Sequence, residues 1–287
     1  MHGVPVTAER LGLKGPRGWA FQGISLDAGP GALIAVEGPS GSGRTCLLLA
    51  LTGRMKATEG TATVGGARLP KQLAAVRRIS AVANVAGVTD LEPALTVGEH
   101  LRERALLQRR FGDSVRALLR PRTERRERAQ RRVDDALAAA GLDLESLPKG
   151  ARTAVRDLER IEALRLSVAL ALVGRPRLLA VDDADLKLSE SERAEVRALL
   201  ASIAEAGTTV VAVCGQAMAG AVVVRTGTTE PTESGTAATA TEALETTEKA
   251  TETTEATEDT QKATQKATQK ATEKKEAGDA LAATGRA

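Results

Sequence analysis

Three glycines punctuate one short polar stretch, Gly38-Pro39-Ser40-Gly41-Ser42-Gly43-Arg44-Thr45. Their spacing lets successive backbone N–H groups turn inward around a phosphate, at the positive end of the helix that follows. Thr45 offers a hydroxyl to Mg²⁺. Arg44 stands where the phosphate-loop pattern has lysine. It keeps the charge, but its planar fork is wider than an ammonium that reaches between two phosphates. Far along the chain, Asp182 and Asp183 end the apolar run RLLAV at 177–181. A glycine loop with a distant carboxylate suits a polyphosphate held with a divalent cation.

The elements that must position these residues are legible as bounded runs. Leu33–Glu37 (LIAVE) leads into the glycines, and Cys46–Leu51 opens an apolar helix, giving strand, loop, helix. RLLAV, Thr208–Cys214 and Ala221–Val224 read as further strands, and 101–172 reads as helical. Strands alternating with helical patterns predict an α/β fold, a mostly parallel sheet with helices on its faces.

Composition divides the chain at residue 225. Residues 226–287 carry 12 acidic and 7 basic side chains, and residues 1–225 carry 25 acidic and 33 basic ones. The second part is built from Thr, Ala, Glu, Lys and Gln, with Leu244 and Leu281 as its only leucines and Gln-Lys-Ala-Thr units from Gln261 to Thr272. A four-residue repeat drifts around a helix instead of forming a stripe, so 226–287 reads as a disordered tail. Within 1–225, Arg102–Arg132 holds 12 arginines against four acids. Phe111 is the one aromatic there, which argues against nucleic acid as a partner and leaves a solvated helix face, an acidic protein or an anionic leaflet. Two cysteines in 287 residues exclude a disulfide framework. Cys46 and Cys214 read as small buried residues, and His2 and His100 lack metal-ligand spacing with them. With no apolar run of 18 residues and no basic-then-apolar leader, a membrane-spanning or secreted chain is not expected.

Five segments in order resemble the ATP-binding-cassette (ABC) ATPases. They are FQGISLDAGPGALIAVEGPSGSGRT at 21–45, LTGRMKATEGTATVGG at 51–66, LTVGEHL at 95–101, RPRLLAVDD at 175–183 and GTTVVAV at 207–213. The resemblance covers nearly all of 1–225. It implies a phosphate-loop NTPase fold of the ABC type, with a helical subdomain inserted at about 99–174. It implies Mg-ATP bound through Gly38, Ser40, Gly41, Ser42, Gly43, Arg44, Thr45 and Cys46, with Thr45 and Asp182 on the metal and Asp183 as the candidate catalytic base.

The departures from the family pattern fall on the chemistry. Where the family has its Leu-Ser-Gly-Gly-Gln signature, this chain has Leu158-Glu159-Arg160-Ile161-Glu162. The family's catalytic glutamate is Asp183, its switch histidine position holds Gly215 and Gln216, and its loop glutamine aligns with Asn84. The adenine-stacking aromatic falls near Gly15, with Trp19 close by. Leu186–Ser189 departs from the subunit-contact motif, beside Asp185. The resemblance therefore implies a cytoplasmic ATP-binding subunit with hydrolysis weak or lost, peripheral to the inner face of the plasma membrane through an integral membrane transporter subunit. A second ABC subunit would be its heterodimer partner. The alternative is a non-hydrolysing pseudo-ATPase scaffold or regulator.

Overall fold

The computed structural model describes residues 2–111, 121–216 and 218–227. The tail expected at 226–287 lies outside them from residue 228 onward, as does 112–120 of the arginine-rich segment. Nine strands form two sheets among the described residues. β1 (Val6–Gly15), β2 (Gly18–Ala28), β4 (Glu59–Val64) and β5 (Ala67–Leu69) make an antiparallel sheet in the order β2-β1-β4-β5. β3 (Leu33–Glu37), β6 (Ser80–Ala83), β7 (Leu178–Val181), β8 (Thr209–Val213) and β9 (Val222–Arg225) make a wholly parallel one, ordered β6-β7-β8-β3-β9.

β3, β6, β7 and β8 are mainly apolar because both their faces are covered, whereas the edge strand β9 leaves Val223 and Arg225 exposed. Ile34, Val36, Leu178, Ala180, Val211 and Val213 face Leu47, Leu48 and Leu51 of α1 (Arg44–Leu51) and the inner side of the antiparallel sheet. The alternate residues Leu33, Ala35, Leu179, Val181, Val210 and Ala212 pack with Leu101, Val133, Leu164 and Leu200 in a second core. α1 begins at Arg44, two residues before the apolar start expected at Cys46, because Gly43 already occupies the N-cap.

Between β6 and β7 the described chain is mainly helical: α3 (Val97–Phe111), α4 (Arg122–Ala139) and α5 (Arg160–Leu172). A short α2 (Leu73–Ile79) precedes β6, and α6 (Glu190–Glu205) follows β7. Residues 140–159 depart from the helical expectation and contain only two short 3-10 turns. Gly141, Pro148 and Gly150 interrupt the pattern there. The arginine-rich face is not wholly solvated. Arg104 turns inward, its Nε donating 2.9 Å to the Leu170 carbonyl, and burial lowers its pKa.

Two contacts fasten distant or facing segments. Thr209 Oγ1 accepts from Val4 N and Gly31 N, each at 3.0 Å, and donates to Val4 O at 2.7 Å. At the hairpin of β1 and β2, Lys14 Nζ lies 5.4 Å from the Trp19 ring centre across the ladder.

Candidate functional site

The loop 38–43 leaves the C-terminal end of β3, in the interior of the parallel sheet, where open α/β sheets bind ligands. Gly41 and Gly43 are left-handed, each at φ +82°. Pro39, Ser40 and Gly41 form the exposed tip, and Ser42 N donates 3.2 Å to Pro39 O. Gly43 is required by contact as well as by conformation. A Cβ there would strike the Ala20 carbonyl of β2, so the β1–β2 hairpin and the loop touch backbone to backbone. Beyond Gly43 lies the first turn of α1, whose N–H groups have no partners within the helix.

Thr45, in that first turn, reaches the end of β7. Its Oγ1 donates 2.8 Å to Asp182 Oδ2, joining residues 137 apart in sequence. Asp182 is buried and its other oxygen, Oδ1, accepts from Asp183 N at 3.1 Å. Burial pushes the Asp182 carboxyl above its ordinary value, and the Thr45 hydrogen bond opposes that shift. The charge of Asp183 adds to it, while the Asp183 N–H and then Arg44 counter it. Asp183 itself is held at φ +44°. Cys46 is half-buried beside this pair, and burial followed by the Asp182 charge raises its thiol pKa.

Of the other chemically expected residues, only Asn84 is bonded to this strand end, and the contacts of the rest lie elsewhere. Asn84, just after β6, donates its Nδ2 2.9 Å to the Asp182 carbonyl, so its side chain is tied to the strand end. Its backbone N donates to Ser167 Oγ on α5 at 2.7 Å. Gly215 and Gln216 are exposed after β8, and Gly215 N donates 2.6 Å to Asp185 Oδ2. Ser189 caps α6, its Oγ accepting from Glu192 N at 3.3 Å. Leu158–Glu162 forms the start of α5. Glu162 Oε2 accepts the Glu159 N–H at 2.8 Å, and Arg160 Nε donates to Leu186 O at 2.7 Å. Trp19 packs against Lys14 and Gly12.

Two engaged residues escape a sequence reading. Ser167 is a buried hydroxyl in an apolar helix, and that mismatch is its signal. Thr226 lies just past the compositional break at 225, yet it is 2% exposed and hydrogen-bonded to the loop residue Ser42. Nothing local in the sequence marks it.

Among the described residues, no cluster of three or more His, Cys, Asp or Glu is placed to hold a metal ion. One hydroxyl and one carboxylate beside a glycine cradle instead fit Mg²⁺ that arrives with a phosphate, since magnesium keeps most of its shell as water and substrate oxygens. No described helix is long and apolar enough to cross a membrane.

A parallel strand, a glycine loop, a helix and a neighbouring strand ending in a carboxylate define a phosphate-loop α/β protein. The chain also matches the ABC transporter family model over residues 21–185. It is 30% identical over 210 residues to a probable anion import ATP-binding protein of Haloferax volcanii, covering 71% of this chain and 69% of the relative. It is 34% identical over 214 residues to the Fe(3+) ions import ATP-binding protein FbpC of Streptomyces avermitilis, covering 71% and 55%. The ATP-binding/permease protein Rv1747 of Mycobacterium tuberculosis is 32% identical over 193 residues, covering 67% and 20%. The chain thus spans about half the length of the Streptomyces relative and a fifth of the mycobacterial one. The fold is similar to the ATP-binding cassette MJ0796 in a dimeric post-hydrolysis state bound to ADP and Pi, with a TM-score of 0.56 and 23% identity, covering 74% of this chain and 88% of that one. CbiO1 from Clostridium perfringens gives a TM-score of 0.58 at 19% identity, covering 74% and 78%. The chain belongs to the ABC transporter family, and its fold is that of an ABC ATPase cassette.

Proposed function

We propose that this chain is the ATP-binding subunit of an ABC transport system and that it holds Mg-ATP while turning it over slowly or not at all. The observation that carries the reading is the Thr45–Asp182 hydrogen bond at the mouth of the glycine loop. It brings the hydroxyl and carboxylate that Mg²⁺ needs together ahead of ligand. Gly38, Ser40, Gly41 and Gly43 offer backbone N–H groups to the phosphates, Ser42 closes the turn through its N–H on Pro39 O, Arg44 adds a cation, and Cys46 continues the first turn of α1. When bound, Mg²⁺ neutralises charge on the phosphate oxygens. Asp183 is the candidate base. It is one methylene shorter than glutamate, and a misplacement of ~1 Å costs about 10²-fold in rate.

The start of α5 supports weak turnover. Its end carries Glu159 and Glu162, and the N–H of Glu159 is already taken by the Glu162 carboxylate. The γ-phosphate of an opposing subunit would meet negative charge there. A scaffold reading without turnover, and a reading as one half of an asymmetric pair with a second ABC subunit, both draw on this feature. The names of two of these relatives, those from Haloferax and Streptomyces, suggest import, and an integral membrane partner would place the chain at the cytoplasmic face of the membrane.

Calorimetric titration of Mg-ATP into the purified chain, beside Arg44→Ala, tests the reading. Micromolar binding that the variant loses is expected, and no heat from the unaltered protein would leave the chain without a nucleotide role. Adding a catalytically complete ABC subunit then separates the two further readings. Turnover that appears only in the mixture marks an asymmetric pair, and none marks a scaffold.

A further inference from the structure

We infer that Thr226 is a positioning residue of the phosphate loop, acting on it through Ser42; the inference rests on the reading that this loop binds ATP. β9 runs parallel to β3 in the register Val36↔Val224 and Glu37↔Arg225, so the two strands end side by side. Thr226 is therefore delivered against the first residue of the loop. Its backbone N donates 2.8 Å to Glu37 O, and its Oγ1 donates to the same carbonyl at 3.1 Å. Its Oγ1 also lies 2.6 Å from Ser42 Oγ. A carbonyl has no proton to give. The single Thr226 hydroxyl proton goes to Glu37, and Ser42 supplies the proton of the shorter bond. Ser42 is thereby held against the end of β9.

Backbone contacts extend this hold. A Cβ on Gly38 would collide with Thr226 Oγ1 and lie 2.6 Å from both Thr226 O and Ser42 Oγ. Gly227, at φ +94°, packs so closely that a Cβ there would be 3.2 Å from Ser42 Cβ and 3.4 Å from Pro39 Cδ. Gly38, Pro39 and Ser42 thus all rest on the Thr226-Gly227 dipeptide. A loop rich in glycine loses much conformational freedom when it is ordered. Ordering it before phosphate arrives spares the ligand that cost, which is preorganisation in the ordinary sense. Thr226 is nearly fully buried and meets no solvent that would replace the bond to Ser42.

The test is Mg-ATP affinity of the full chain carrying Thr226→Val or Thr226→Ser, with amide hydrogen exchange measured on the unliganded proteins. Thr226→Val keeps the shape and removes the hydroxyl, and it weakens binding about tenfold, as one hydrogen bond converts to affinity. Thr226→Ser regains most of that affinity. Combined with Ser42→Ala, Thr226→Val adds little further loss, because the two hydroxyls act as one unit. In Thr226→Val, exchange quickens at residues 38–43 and nowhere else. Faster exchange spread through β3, β8 and α1 would assign Thr226 to general stability and overturn the inference. Equal affinities of Thr226→Val and the unaltered chain would overturn it while leaving ATP binding intact. No binding by the unaltered chain would remove both.

Discussion

The N-termini of α1 and α5 begin from the same physics and end in opposite states. Each helix start presents backbone N–H groups and the positive end of a dipole. At α1 the cap is Gly43, a left-handed residue with no side chain, and the adjoining loop is built of glycines. At α5 the cap is Glu159, and the third residue of the helix, Glu162, folds back to take the Glu159 N–H. The first end stays open to an anion from outside, and the second is answered from within. A helix terminus is thus a binding site only where the chain leaves it unsatisfied, and glycine leaves it so more surely than any polar side chain.

The strongest challenge to this contrast is Gly43→Ala. A methyl at φ +82° that strikes the Ala20 carbonyl should cost about 2–4 kcal/mol, read as a large fall in melting temperature with loss of Mg-ATP binding. A variant that melts and binds as before would mean the open end does not depend on that close approach. Thr45→Val sharpens the contrast next. It should weaken binding of Mg-ATP by about 10- to 100-fold and leave binding of metal-free ATP nearly unchanged, as measured by calorimetry with and without Mg²⁺.

Cys214, just after β8, reports on the burial and charge around the end of that strand. Burial above all, then Asp185 and Glu37, push its thiol from 9.0 up to about 11. A raised thiol pKa stabilises the fold fully below pH 9. That contribution is lost as pH rises from 9 to 11, because the unfolded chain gives up its proton first. Denaturant titrations should show this decline, at most about 1.4 kcal/mol per pH unit from this thiol, and Cys214→Ala should make it shallower. The smallest effect belongs to Glu162→Ala. Removing the self-made cap should cost about 0.5–1 kcal/mol of stability and leave ATP affinity of the isolated chain unaltered. A change in that affinity would mean the two helix ends are coupled.

Local patterns carried much of this molecule. LIAVE, the glycines and RLLAV each declare themselves within a few residues, because a buried parallel strand and a tight loop impose their own composition. The strand Ser80–Ala83 is less visible, being four small residues between a helix and Asn84. The interruption of helix over 140–159 is marked in the sequence by Gly141, Pro148 and Gly150, set among residues of helical composition. The engagement of Asn84 with the Asp182 carbonyl spans 98 residues, and that of Thr226 with Ser42 spans 184. Such bonds are decided by which strands lie side by side, and no window along the chain contains both partners. The compositional break at 225 is sharp in charge and residue type, yet the buried Thr226 lies beyond it.

The β1–β2 hairpin has an optical consequence. The chain has one tryptophan and no tyrosine. Its near-ultraviolet emission therefore arises from Trp19, a ring 37% exposed and stacked with Lys14. The next residue along the chain, Ala20, touches the phosphate loop at Gly43. The protein carries its own fluorescent reporter beside the loop, and events there can be followed in real time without a dye.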